Sequence, residues 1–249
     1  MKPVLILLPG LSGTSKLMKW IVPYLEDCFS LRLVDLPESQ NAGDQNYETL
    51  ASYVYETYLS KEKNGCWVLG ESFSGPIAIK LAKQYPKSIA GIILAATFAS
   101  TPNRFVRYFQ KLLLPFLLPI LSCRFTRQWG GLLFLCAWQA FQLSANMRNI
   151  ILQELGCTPT KTIKERLKTV MTCDVRSCLP LAQPVLYLKA KHDWLVHKQA
   201  SEILQSLQPS IQIHSFDSPH LLLQFQPQEA AQAIQVFIIQ NSANKSSVI

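Results

Sequence analysis

Residues 66–84 constrain the fold more than any other stretch. Cys66-Trp67-Val68-Leu69 is a short apolar run, Gly70-Glu71-Ser72-Phe73-Ser74-Gly75-Pro76 follows, and Ile77 to Gln84 continues with a helical pattern. A buried strand that passes directly into a helix leaves no room for a loop. The residue at the turn must then accept a strained backbone, often at positive φ, and its neighbours must be small because strand and helix run close together. Gly70 and Gly75 meet that need, and Ser72 stands at the turn with its hydroxyl directed away from the strand. Ser74 takes the place held by the second glycine of the pattern G-x-S-x-G, where serine is a tolerated small neighbour.

The rest of the chain alternates in the same way. Strands are predicted at Val4–Leu8, Leu31–Asp35, Cys66–Leu69, Ala90–Leu94, Val185–Lys189 and Ile211–Phe216, each short and rich in Val, Ile and Leu. Continuous apolar runs of this length suit a parallel sheet covered on both faces. Helices are predicted between them, at Ser15–Leu25, Glu48–Leu59, Gly75–Gln84, Lys198–Leu207 and Gln228–Gln240. The expected fold is therefore α/β, a doubly wound sheet with its reactive groups at the carboxyl ends of the strands.

The alternation breaks between about residues 100 and 180, where helices are predicted at Arg104–Leu114, on to Leu121, at Thr126–Leu143, Met147–Leu155 and Thr160–Thr172. The expected organisation is a core of residues 1–100 and 181–249 with a helical cap inserted at 101–180. All of the net charge of +8 lies in that insertion, which holds 11 Lys or Arg against 3 Asp or Glu, while the remainder holds 13 of each sign. A soluble basic outer face accounts for this, and so does a surface that meets anionic lipid headgroups or an acidic substrate. No nucleic-acid motif accompanies the charge. Residues 128–147 carry no charge, but Gly130-Gly131 and scattered Gln, Ser and Asn favour an acyl-lining cap over a membrane span.

Seven cysteines without regular spacing, and no export signal before Val4, predict reduced thiols in a cytoplasmic protein, with peripheral membrane contact through the basic cap left open. No ligand spacing calls for a metal or cofactor. Oligomeric state is not encoded in any recognisable feature.

A serine nucleophile needs a base, an acid that orients the base, and donors for the oxyanion. Of four histidines, His214 falls inside the last strand and His220 just beyond it, on the rim predicted for Ser72. His220 is the expected base. The acid should lie between Ser and His in chain order. Asp193, in the loop after the fifth strand, is the expected acid, Asp217 a stand-in, and Asp174 a weaker one, expected instead to anchor the end of the cap. The oxyanion donors should be the backbone N–H groups of Phe73, after the nucleophile, and Leu11, in the loop Pro9-Gly10-Leu11-Ser12-Gly13 after the first strand.

Together, L-P-G-L-S-G-T at 8–14, D-L-P at 35–37, G-E-S-F-S-G at 70–75, H-D-W-L-V at 192–196 and P-H-L-L-L-Q-F-Q-P at 219–227 resemble the α/β-hydrolase superfamily. The resemblance covers residues 1–100 and 180–240. The chain begins at what resembles the third strand of the family's eight, which implies six strands in the order 4-3-5-6-7-8 by family convention. It departs from the family at Ser74, at Pro9-Gly10 in place of His-Gly, and at Glu38-Ser39 in place of Gly-His. The resemblance implies a small-molecule acyl ester as substrate, cleaved by Ser72, Asp193 and His220 through an acyl-enzyme. The apolar cap, with Leu112–Leu114, Phe116, Trp138 and Phe141, suggests a medium or long acyl chain. A thioesterase or acyltransferase using the same groups, or a non-catalytic binding protein, are the alternatives.

Overall fold

The computed structural model describes residues 2–62, 64–101 and 145–246. Six strands form one parallel sheet: β1 (Val4–Leu8), β2 (Ser30–Leu33), β3 (Cys66–Glu71), β4 (Ile89–Ala95), β5 (Val185–Ala190) and β6 (Gln212–Phe216). Their order is β2-β1-β3-β4-β5-β6. Every pairing is parallel, and the order equals the one implied by the family resemblance.

Alternation along the strands divides the core into two layers. Ile6, Leu8, Val68, Ile92, Leu94 and Tyr187 face one side, where α2 (Tyr47–Val54) and α3 (Gly75–Gln84) pack. Leu5, Leu7, Trp67, Leu69, Ile93 and Leu188 face the other, covered by α1 (Val22–Leu25), α7 (Leu222–Phe225) and α8 (Pro227–Ser246). Helix α8 meets the sheet through Ala230, Ala231, Ile234, Phe237 and Ile238, a helical stripe whose Phe237 ring lies edge-on to Trp67 at 5.6 Å.

The helix expected at Glu48–Leu59 is α-helical over Tyr47–Val54 and π-helical over Tyr55–Leu59, and two other elements differ from expectation for identifiable reasons. The predicted helix Ser15–Leu25 is a 3-10 helix at Ser15–Trp20 followed by α1. Pro23 has no N–H to continue an α-helical ladder across that junction. Strand β2 runs Ser30–Leu33 rather than Leu31–Asp35, because Asp35 leaves the ladder and accepts a hydrogen bond from Ser15 N at 2.6 Å.

The segment between β4 and β5 includes α4 (Ala145–Cys157) and α5 (Thr160–Met171), where helices were expected. The helices and apolar lining residues predicted within 102–144 lie outside the described residues. The ends of the segment are stitched together: Ser100 bridges Asp174, Thr101 N donates to Cys173 O at 2.9 Å, and Val175 N donates to Ala99 O at 2.8 Å. Asp174 also pairs with Arg176 at 2.6 Å. Helix α6 (Gln199–Leu207) completes the β5-to-β6 crossover. No helix among the described residues is long and apolar enough to cross a membrane.

Candidate active site

Because all six strands run the same way, the loops after β1, β3, β4, β5 and β6 open on one rim. The β3–α3 turn there holds Ser72 at φ 49°, a left-handed conformation that a non-glycine residue accepts at a cost of about 1–3 kcal/mol. The close approach behind it explains the flanking glycines. A Cβ on Gly70 would lie 2.7 Å from Ser74 O, and one on Gly75 would lie 2.1 Å from Thr97 Oγ1. Thr97, just after β4, uses that hydroxyl to bond the Ser72 carbonyl, and its own carbonyl accepts from Tyr187 Oη at 2.9 Å.

Ser74 does more than fit. It is fully buried and its hydroxyl donates to Pro9 O, tying the elbow to the loop after β1. A glycine at this position could not make that bond. The loop itself is a tight turn in which Gly13 N donates to Gly10 O at 3.0 Å. A Cβ placed on Gly10 would stand 3.9 Å from Ser72 Cβ, so the residue before Leu11 lies beside the elbow, and Phe73, next after Ser72, has its ring buried against Tyr47 at 5.3 Å.

The loops after β5 and β6 deliver the other two groups. Lys191 N donates to Phe216 O at 3.0 Å and His192 N to Ser218 O at 3.1 Å, which zips the loops together. His220 lies with Nε2 2.8 Å from Ser72 Oγ and Nδ1 2.7 Å from Asp193 Oδ2. The other oxygen of Asp193 accepts from Leu195 N at 2.9 Å and Val196 N at 2.8 Å, so the carboxylate is fixed at both ends. Asp217 faces elsewhere and sits 2.7 Å from His192 Nε2. His214 remains in β6 against Phe216. The structure thus brings Ser72, His220 and Asp193 into one hydrogen-bonded chain and leaves Asp217, Asp174, His192 and His214 out of it.

Burial works against the His220 imidazolium, but the Asp193 charge and hydrogen bond, with a further contribution from the Glu71 charge, outweigh it and raise the His220 pKa above the ordinary histidine value. Glu71 was not singled out by sequence. It is buried, accepts from Gln224 Nε2 at 3.1 Å, and is also bonded by the Gly10 N–H. Burial, the largest influence, raises its pKa against those bonds and the His220 charge. Glu71 ends the buried strand β3, and its partner Gln224, 153 residues away, is not visible in the local sequence.

The segment between β4 and β5 bonds the loops that follow β1 and β2. Glu154 of α4 accepts from Thr14 Oγ1 at 2.7 Å and pairs with Lys16 at 2.8 Å. Thr158 Oγ1 donates to Ser12 O at 2.9 Å, and Thr162 Oγ1 accepts from Ser39 N at 3.0 Å. Arg166 of α5, which lies in a run rich in lysine, is turned inward and is 1% exposed. Among the described residues no three His, Cys, Asp or Glu side chains converge to hold a metal.

The alpha/beta hydrolase fold family model matches residues 3–227. The chain is 28% identical over 243 residues to the biotin biosynthesis bifunctional protein BioHC of Cellvibrio japonicus, covering 95% of this chain but 47% of that relative's length. It is also 28% identical over 228 residues to the pimeloyl-[acyl-carrier protein] methyl ester esterase of Nitrosomonas europaea, covering 88% of this chain and 87% of that protein. Among solved structures, a hydrolase from Pseudomonas aeruginosa superposes with a TM-score of 0.80 at 19% identity, covering 95% and 90% of the two chains. An esterase from Exiguobacterium antarcticum does so at 0.78 with 14% identity, covering 95% and 91%. These structural likenesses bear on fold alone. With the family model spanning most of its length and the sheet order and elbow in place, the chain belongs to the alpha/beta hydrolase fold family.

Proposed function

We propose that the protein is a serine esterase that cleaves a carboxylic ester through an acyl-enzyme. The observation that carries this reading is the unbroken chain Asp193–His220–Ser72, with spacings of 2.7 and 2.8 Å. His220 Nε2 takes the Ser72 hydroxyl proton as Oγ bonds to the acyl carbon, and the carbonyl oxygen becomes an oxyanion held by the Leu11 and Phe73 N–H groups. The His220 Nε2–H then protonates the departing alkoxide. Water attacks the acyl-enzyme, gives its proton to His220, and the acid leaves as that proton returns to Ser72 Oγ. Asp193 holds the Nδ1 tautomer and stabilises the imidazolium.

Relatives at 26–28% identity carry the name pimeloyl-[acyl-carrier protein] methyl ester esterase, and the net charge of +8 is confined to 101–180. Both favour an acyl ester presented with an anionic group or partner, the insertion forming a cap over the elbow. The medium or long acyl chain suggested by the apolar sequence remains part of this proposal. A series of methyl esters of increasing acyl length, compared with matched acyl-CoA thioesters, tests it. Preference for acetyl esters contradicts an acyl pocket, and preference for the thioesters moves the assignment to a thioesterase.

A further inference from the structure

Arg166 is a buried cation that none of the catalytic steps above uses. Four of its five guanidinium N–H groups donate to neutral oxygens. Nη1 donates to Leu11 O at 3.0 Å and Ser12 O at 2.8 Å, Nη2 to Pro37 O at 3.0 Å, and Nε to Gln45 Oε1 at 2.9 Å. Its Cζ also lies 5.8 Å from the centre of the Phe73 ring, within the range of a cation–π contact. Glu38 and Asp44 act on it through space, but among the described residues no carboxylate is within ion-pair distance. The loop is shaped around this side chain: Gly13 has φ 75° and a Cβ there would fall 2.1 Å from Nη1.

These contacts fall on the two peptide neighbourhoods assigned to the oxyanion. In the planar trans peptide joining Gly10 to Leu11, the carbonyl is held by Gly13 N, so the Leu11 N–H is directed the opposite way, out of the turn. Arg166 holds the next two carbonyls of the same turn, which leaves that peptide little freedom to rotate. A donor aimed before the reaction begins costs no reorganisation as charge develops, which is the largest electrostatic advantage a site of this kind has.

We propose that Arg166 is a positioning residue for the oxyanion: a guanidinium supplied by the insertion that clamps the Leu11–Ser12 carbonyls of the loop and abuts Phe73, making the insertion part of the catalytic apparatus. This rests on the esterase reading above. Lysine supplies the charge but not the planar fork, so Arg166→Lys breaks the clamp while keeping a cation.

The test uses the full chain and compares wild type, Arg166→Lys and Arg166→Ala. Each is measured with a nitrophenyl ester, with a trifluoromethyl ketone that forms an oxyanionic adduct on Ser72, and with the corresponding alcohol, which cannot. Arg166→Lys is expected to lose about 10–100-fold in kcat with KM changed by less than about threefold, the pattern of an interaction made in the transition state. Ketone affinity should fall by the same factor as kcat, and alcohol affinity should hold. Millimolar guanidinium, but not potassium at equal ionic strength, should restore part of the Arg166→Ala turnover. If circular dichroism shows Arg166→Ala unfolded, Arg166→Lys decides alone. Wild-type kcat in Arg166→Lys, or equal losses for ketone and alcohol, overturns the proposal. A wild-type protein that neither turns over the ester nor forms the ketone adduct would instead sink the esterase reading itself.

Discussion

The hydroxyl of Ser74 donates to the carbonyl of Pro9, joining the turn that carries Ser72 to the loop that carries Leu11. The residue that departs from the G-x-S-x-G pattern is therefore the one that links the two halves of the site. Ser74→Ala keeps the small side chain but strands the buried carbonyl of Pro9, a loss of about 1–3 kcal/mol. Thermal denaturation should show a lower Tm. An unchanged Tm would mean that the link contributes nothing.

Gly75 offers a sterically defined test. Its Cβ would meet Thr97 side-chain atoms at 2.1–2.6 Å, and Thr97 is buried and bonded to the Ser72 carbonyl. Gly75→Ala should cost about 1–3 kcal/mol or more through overpacking and should displace the elbow. Adding Thr97→Ala, which removes the Oγ1 and Cγ2 atoms that the new Cβ would meet at 2.1 and 2.4 Å, should recover in part the Tm lost in thermal denaturation.

The pH dependence follows from His220. Its pKa is raised in the folded protein, against burial, by Asp193 and Glu71. As a general base it must be neutral, so kcat/KM should rise with pH through an apparent pKa above the ordinary value of about 6.5. Stability runs the other way. A group whose folded pKa is raised stabilises fully below its unfolded pKa, and that contribution is lost as pH rises through the folded pKa. Activity should thus increase across the window in which the His220 contribution to stability fades. A limb below the ordinary value would contradict the charge arrangement.

Glu71→Gln separates the buried carboxylate from the acid of the triad. Removing its charge should shift the kcat/KM limb toward lower pH, because that charge helps to hold the imidazolium. Asp193→Asn should instead lower kcat by about 10⁴, because the amide disturbs the tautomer of the base. Equal losses for the two variants would place Glu71 in the relay itself.

Much of this architecture was legible in the chain. All six strands fall where short apolar runs occur, and α3 spans Gly75–Gln84 as predicted, because strand burial and elbow geometry are local demands. The meeting of Ser72, Asp193 and His220 followed from chain order plus the rule that parallel strands share a rim. Arg166 and Glu71 were not legible. Arg166 sits in the charged run Lys161–Lys168, and its partners, the carbonyls of Leu11, Ser12 and Pro37 and the Gln45 side chain, are all more than 120 residues away. The 3-10 start of the segment after Thr14 was hidden for a similar reason, since apolar periodicity does not separate 3-10 from α-helical turns.

The central claim is that Ser72 is the nucleophile, and its most direct measurement is reaction with a fluorophosphonate probe followed by mass mapping of the adduct. The wild-type protein should label stoichiometrically at Ser72. Ser72→Ala should take no label, retain the wild-type circular dichroism spectrum and lose ester turnover by several orders of magnitude, the scale on which losing a triad nucleophile acts. Labelling at another serine, or near-normal turnover by Ser72→Ala, would contradict the account.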